Sequence, residues 1–192
     1  MSNFQAFTLK NDNGLLRELK THCGACQAFD PLQGGNQPEI IQFVGLWDTG
    51  ATGSAISRNV VDKLGLKPIG KSEVFHANGK STVDVYVINL FLPNQVLVQF
   101  VTVTEGVLNG FDLLMGMDII TLGDFSITNF KGNTCLSFRF PSQKEVDFVV
   151  QSNNRNEVVQ RHQNAGLSLN AKCICGSKKA FKKCHGRGLA FK

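Results

Sequence analysis

The sequence predicts a mainly β protein, a closed or nearly closed barrel carrying one or two short helices. Three observations predict it. Short runs dense in Val, Ile, Phe and Thr recur along the chain. Turn residues punctuate those runs, and helical signals are few and brief. With 192 residues and 42% apolar content, the chain can bury one ordinary core and leave room for a small appendage.

Residues 1–38 read as a polar lead-in with a short helical candidate from Leu15 to Lys20 and the sequence His22-Cys23-Gly24-Ala25-Cys26. The Gly- and Pro-rich stretch from Pro31 to Pro38 separates it from the first firm strand, Ile40–Leu46. Ser57 is placed to N-cap a helix that starts at Arg58 and ends near Gly65, with Pro68 preventing its continuation. Thr82–Leu92 and Val96–Thr104 follow as strands, turning at Pro93-Asn94. Asp124–Phe130 and Cys135–Phe140 flank Lys131-Gly132-Asn133 as a further hairpin. Composition then becomes polar. Residues 143–170 read as a linker with at most a helical turn around Glu157–Arg161, and residues 171–192 as a separate small module.

Charge divides the chain the same way. Residues 171–192 hold seven cations and no acid, so of a net +5 the rest of the chain carries −2. The main body is therefore no basic nucleic-acid binder, although the tail could touch an anionic surface. No apolar run is long enough to span a bilayer, and the first residues lack a basic n-region and a long h-region. Six cysteines, grouped as Cys23/Cys26 and Cys173/Cys175/Cys184 with Cys135 alone, suit metal binding or reduced thiols in a cytoplasmic protein. For Cys23 and Cys26 plain reduced thiols compete with half a metal site or a redox pair; Cys135, in a strand pattern, reads as core.

The first strand ends on Asp48-Thr49-Gly50-Ala51. A carboxylate where a buried strand turns costs several kcal/mol, on the order of 2–7, unless something satisfies or uses it. Gly50 suits a tight turn and the close approach of another backbone. The chemistry served by such a carboxylate is that of a paired acid: two held side by side share one proton and activate water. The stretch Ala51-Thr52-Gly53-Ser54-Ala55-Ile56-Ser57, the helix after it, and Phe111-Asp112-Leu113-Leu114-Met115-Gly116-Met117-Asp118 follow in order. In that order and spacing, residues 39–142 resemble a retropepsin-like, retroviral-type aspartic protease domain.

The resemblance implies an aspartic endopeptidase with Asp48 as its catalytic acid/base. One Asp-Thr-Gly per chain implies a homodimer, each copy giving one carboxylate, acting on a protein or peptide substrate without a catalytic metal. It further implies that Thr49 bonds across the dimer axis, that Gly50 and Ala51 line the site, and that Ser54 serves the loop's hydrogen bonding. The flap expected to cover substrate falls on Val74–Thr82, with His76, Ala77, Asn78 and Gly79 at its tip; Asn78-Gly79 is a hairpin-turn signal. Two departures stand out. Retroviral members have acidic residues after Asp-Thr-Gly-Ala and an Arg in Gly-Arg-Asp or Gly-Arg-Asn, whereas this chain has Thr52-Gly53 and Gly116-Met117-Asp118. Both members of that pair are missing together, so no orphan charge is left. The competing reading is a non-catalytic dimer of the same fold, serving as a scaffold that binds through its tail.

In the tail, Cys173, Cys175, Cys184 and His185 offer three thiolates and an imidazole, a donor set suited to tetrahedral Zn²⁺. A segment this short has no core without such a staple. The C-x-C, gap, C-H pattern with Gly-Ser-Lys-Lys resembles the SEC-C motif, which implies a structural zinc. Its lysines either are simply solvated or present a basic face to an acidic protein, anionic lipid or nucleic acid.

Overall fold

The computed structural model describes residues 5–34, 37–76, 79–93 and 96–189. They fall into two compact units, 1–144 and 145–192. In the first unit the strands are β1 (Gln5–Lys10), β2 (Lys20–Gln27), β3 (Ile41–Trp47), β4 (Ala55–Ile56), β5 (Gly70–His76), β6 (Gly79–Phe91), β7 (Leu97–Glu105), β8 (Leu113–Met115), β9 (Asp124–Thr128) and β10 (Cys135–Phe140). Helix α1 (Arg58–Leu64) follows β4, and a single turn, α2 (Met117–Ile120), follows β8.

Seven strands hydrogen-bond in the order β2-β3-β8-β4-β7-β6-β5, and β2 pairs again with β6, which closes the first six into a barrel. The expected mainly β, closed-barrel class is what the chain adopts. Side chains alternate along β3, so that Phe43, Gly45 and Trp47 face inward. Gly45 leaves the room its neighbours fill, since a Cβ there would lie 2.8 Å from Met115 Cε and 2.9 Å from Cys23 Sγ. Burying Phe43, Trp47, Ile56, Tyr86, Ile88, Leu90, Val103 and Met115 supplies the driving force of the barrel.

β5 lies outside the closed ring, paired only with the first half of β6. The two make a hairpin whose last described pair is His76 with Gly79. Gly79 sits at φ 115°, open to glycine and strained for other residues. Ala77 and Asn78, from the expected flap tip, lie outside the described residues, as does Asn94 of the expected turn.

The structure departs from the sequence reading in the lead-in. Residues 15–19 are not helical, and the segment supplies two strands. β2 is a wall of the barrel, with Cys23, Ala25 and Cys26 buried. Burial, with the Asp112 charge adding to it, pushes the Cys23 thiol up to about 12, and burial raises Cys26 as well. Both are protonated core thiols at neutral pH, which disfavours a metal or redox pair. β1 forms a second sheet with β10 and β9, and its Phe7 joins Trp47, Phe125 and Phe138 in an aromatic cluster with ring centroids 5.2–6.0 Å apart. Trp47 also donates from Nε1 to Thr21 Oγ1 at 2.9 Å. The N-terminal strand thus backs the residue that precedes Asp48.

α1 ends as its sequence requires, on Gly65 at φ 60°, whose N–H returns to Asp62 O. Ser57 sits at the N-cap position but its hydroxyl makes no capping bond. In the second unit residues 143–170 are not a linker with one turn. They carry the longest helix of the described chain, α3 (Phe148–Asn164), opened by Asp147, whose side chain accepts from Val149 N at 2.7 Å and Val150 N at 3.0 Å.

Phe7→Ala should destabilise unit 1 by about 2 kcal/mol, since Phe7 is half-buried and a full Phe→Ala core truncation costs roughly 3–5. Denaturant unfolding followed by the fluorescence of Trp47, the chain's single tryptophan, reads both the loss and the loosened ring cluster.

Candidate active site and metal centre

Asp48 stands where β3 leaves the barrel wall. Its own N–H donates to Met115 O at 3.0 Å, its Oδ1 accepts from Gly50 N at 2.8 Å, and its carbonyl accepts from Ala51 N at 3.3 Å. The carboxylate therefore folds the turn around itself, on a residue that is half-buried as a whole. Thr49 and Gly50 are exposed beyond it, and Ala51 is half-buried.

The loop that follows is gripped from beneath by the start of α2. Met117 N donates to Ala51 O at 2.8 Å and Asp118 N to Thr52 O at 3.3 Å. In the opposite direction, Asp118 Oδ2 accepts from Ser54 N at 3.0 Å and its Oδ1 from Ser54 Oγ at 2.8 Å. Ser54 Oγ in turn accepts from Gly116 N at 3.1 Å, so this buried hydroxyl both donates and accepts. Bonds to a charged acceptor are worth about 1.5–3 kcal/mol each, which fixes this loop far more firmly than turn propensity alone. The grip needs glycine at 116: a Cβ would stand 2.7 Å from Gly53 O and 3.0 Å from Ala51 O.

Asp112, just before β8, ties three elements together. It exchanges backbone and side-chain bonds with Val44, accepts from Asn59 Nδ2 of α1 at 2.9 Å, and its carbonyl accepts from Ser57 N at 2.9 Å. Sequence reasoning gave Ser54 a hydrogen-bonding role but missed its partner, Asp118, and missed Asp112. Asp118 was visible only as an acid in a segment that departs from retroviral members. The signal that could have found it is a carboxylate two residues beyond a glycine that ends a buried strand, where some donor has to meet it.

In the second unit, Cys173, Cys175, Cys184 and His185 bring their donor atoms within 4.8 Å of one another. Cys173 Sγ lies 3.4 Å from His185 Nδ1, Cys184 Sγ 3.2 Å from the same nitrogen, and Cys175 Sγ 3.6 Å from Cys184 Sγ. Around a tetrahedral Zn²⁺ with bonds of about 2.3 Å to sulfur and 2.0 Å to nitrogen, neighbouring donors stand roughly 3.5–3.8 Å apart. The four residues fit a metal of this kind. Ser177, through its hydroxyl and amide, draws the exposed Cys175 thiol down to about 6, whereas burial raises Cys173. Short backbone bonds shape the knuckle: Cys173 N to Lys179 O at 2.8 Å and Phe181 N to Ala171 O at 2.8 Å. Gly186 is packed against Phe181, where a Cβ would meet the ring at 2.4 Å.

Two contacts that sequence reasoning missed join this knuckle to α3. Arg155 donates from Nε to His185 O at 3.2 Å and from Nη2 to Arg187 O at 2.6 Å. His162, fully buried, stacks on Phe181 with ring centroids 3.7 Å apart and planes 9° from parallel. Its Nε2 donates to Ser168 O at 3.1 Å. The polar composition of the helix hid both.

Residues 41–121 match the family described as gag-polyprotein putative aspartyl protease, and residues 170–187 match the SEC-C motif. No curated protein matches the chain. Among solved structures it is similar to a retropepsin-like aspartic protease from Rickettsia conorii, at 15% identity over 73% of this chain and 98% of that one, with a TM-score of 0.42. No helix among the described residues is long and apolar enough to cross a membrane. The barrel segment over residues 41–121 is thus similar to the gag-polyprotein putative aspartyl protease family, and residues 170–187 match a SEC-C motif, where three cysteines and a histidine are grouped as a set that could hold a metal ion.

Proposed function

We propose that this chain is an aspartic endopeptidase that works as a homodimer, each copy contributing Asp48. The observation that carries the reading is the braced turn: a carboxylate bonded to Gly50 N, on a loop locked by Gly116 and Asp118. A reacting acid has to be held this rigidly, because misplacement by about 1 Å can cost a hundredfold in rate. In the dimer the two aspartates share one proton; the ionised one takes a proton from water as it attacks the peptide carbonyl, and the other donates to the developing oxyanion. Thr49 bonds across the two-fold axis, and Gly50 lets substrate backbone come close. The β5–β6 hairpin, whose last described pair is His76 with Gly79, is the flap that excludes water.

In the tail, zinc held by Cys173, Cys175, Cys184 and His185 is structural, and its basic surface recruits the enzyme to an acidic protein, an anionic lipid or a nucleic acid. Six free cysteines favour a reducing compartment, the cytoplasm.

Asp48→Asn keeps the side chain's shape but removes the shared proton. Peptide hydrolysis should fall by roughly a hundredfold to ten-thousandfold while sedimentation still shows a dimer. Unchanged cleavage by the variant would defeat the aspartic mechanism; a wild type that dimerises yet cleaves nothing in a diverse peptide library would favour the scaffold reading.

Specific activity should fall on dilution below the dimer dissociation constant, since one chain brings one aspartate. A monomer cleaving at full specific activity would refute the shared site.

Gly116→Ala tests the brace. Its methyl meets the backbone carbonyls of Gly53 and Ala51, so the loop has to shift, at a cost of about 1–3 kcal/mol in stability. Activity should drop more than that loss explains, measured at a temperature where the variant stays folded.

A further inference from the structure

The helix α3 is poorly equipped to stand alone. Five of its positions are Ser or Asn, residues that compete with helix hydrogen bonds, and four are β-branched Val. Only His162 is buried, with Val158 and Val159 half-buried beside it, so there is no broad apolar face to dock. Internally it has its Asp147 cap and one exposed i,i+4 pair, Arg161 with Glu157 at 3.5 Å. Both are weak supports. Isolated helices below about 12–15 residues are marginal in water even when rich in alanine, and this composition places a 17-residue helix in the same position.

What holds the helix is the cysteine–histidine knuckle. Arg155 bonds two of its carbonyls, including that of the donor residue His185, and the His162 ring lies flat on Phe181. Phe181 is itself fully buried between that ring and Gly186. The knuckle in turn has only Cys173, Phe181 and Gly186 buried, too little to order it without a metal. Each half therefore lacks stability of its own, and the metal is the one strong constraint available to both.

We propose that metal binding folds α3 as well as the knuckle, so that residues 145–192 are one metal-dependent unit, with Arg155 and His162 as positioning residues for the metal site. The proposal rests on the metal reading of Cys173, Cys175, Cys184 and His185. It extends the module upstream of the matched motif at 170–187 by residues 145–169. Metal loss then turns a rigid helical unit into an unfolded tail.

The test uses the full chain loaded with Zn²⁺ and then stripped by a strong chelator. With 17 residues against 7 in α1 and 4 in α2, α3 dominates the helical circular dichroism, so chelation should remove more than half of it. Trypsin should then cut after Arg155 and Arg161, resisted in the loaded protein. Trp47 fluorescence should stay constant, because Trp47 lies in the other unit. Arg155→Ala should weaken zinc binding about tenfold in a competition assay, and Arg155→Lys, with a single-headed donor, by less. A stripped chain that keeps its helical signal and its trypsin resistance would overturn the coupling while leaving the metal site standing. So would wild-type zinc affinity in Arg155→Ala, as regards positioning. A Trp47 shift on chelation would overturn the confinement to residues 145–192. If metal analysis finds no zinc bound to wild type, and none lost in Cys184→Ser, the metal reading fails and the inference with it.

Discussion

The protease-like unit depends on one close crossing of backbones, where Gly116 passes beneath residues 51–53. At that crossing β8 ends, α2 begins, and the loop carrying Asp48 receives N–H donors from two successive residues. Everything upstream converges on it. β3 is parallel to β8, which sets Asp48 N against Met115 O; β4 runs antiparallel to β8 on the other side and sets Ser54 over Asp118. The barrel is then a frame that brings two chain segments, far apart in sequence, close enough for a side chain as small as a methyl to be excluded.

This crossing explains which features were legible in the sequence. Asp48, the strand before it and the Gly65 helix stop each declare themselves locally, through periodicity, turn chemistry or a glycine at a positive φ. Partnerships across the fold do not. Nothing near Asp118 signals that it meets Ser54, and β2 could not be read as a strand because Lys20, Gly24 and Ala25 have weak strand preference. Its conformation is imposed by pairing with both β3 and β6. Leu15 to Lys20 shows the reverse error: leucines at helical spacing sit in extended chain, where Leu19 alone packs on the core and its carbonyl accepts from Trp47 N.

The same lesson applies to α3 with the sign changed. Asn153, Asn154 and Asn156 read as linker because local propensity argues against a helix, and local propensity is correct about the isolated segment. The helix exists through Arg155 and His162, two polar residues whose partners are backbone carbonyls and a ring. A hydrophobic pattern cannot register such contacts, because neither side of them is a conventional core surface.

The pairing of β1 with β10 has a temporal side. Phe7 is made before any strand of the barrel, yet its sheet partner Phe138 emerges only after the whole barrel has been synthesised. Until then Trp47 lacks the Phe138 ring, and β1 has no sheet partner to hold Phe7 against it. Contacts of such long sequence separation form late and slowly. On the ribosome, therefore, the aspartate loop can be gripped by residues 115–118 before Trp47 gains its full aromatic backing, which is among the last features of the unit to be set.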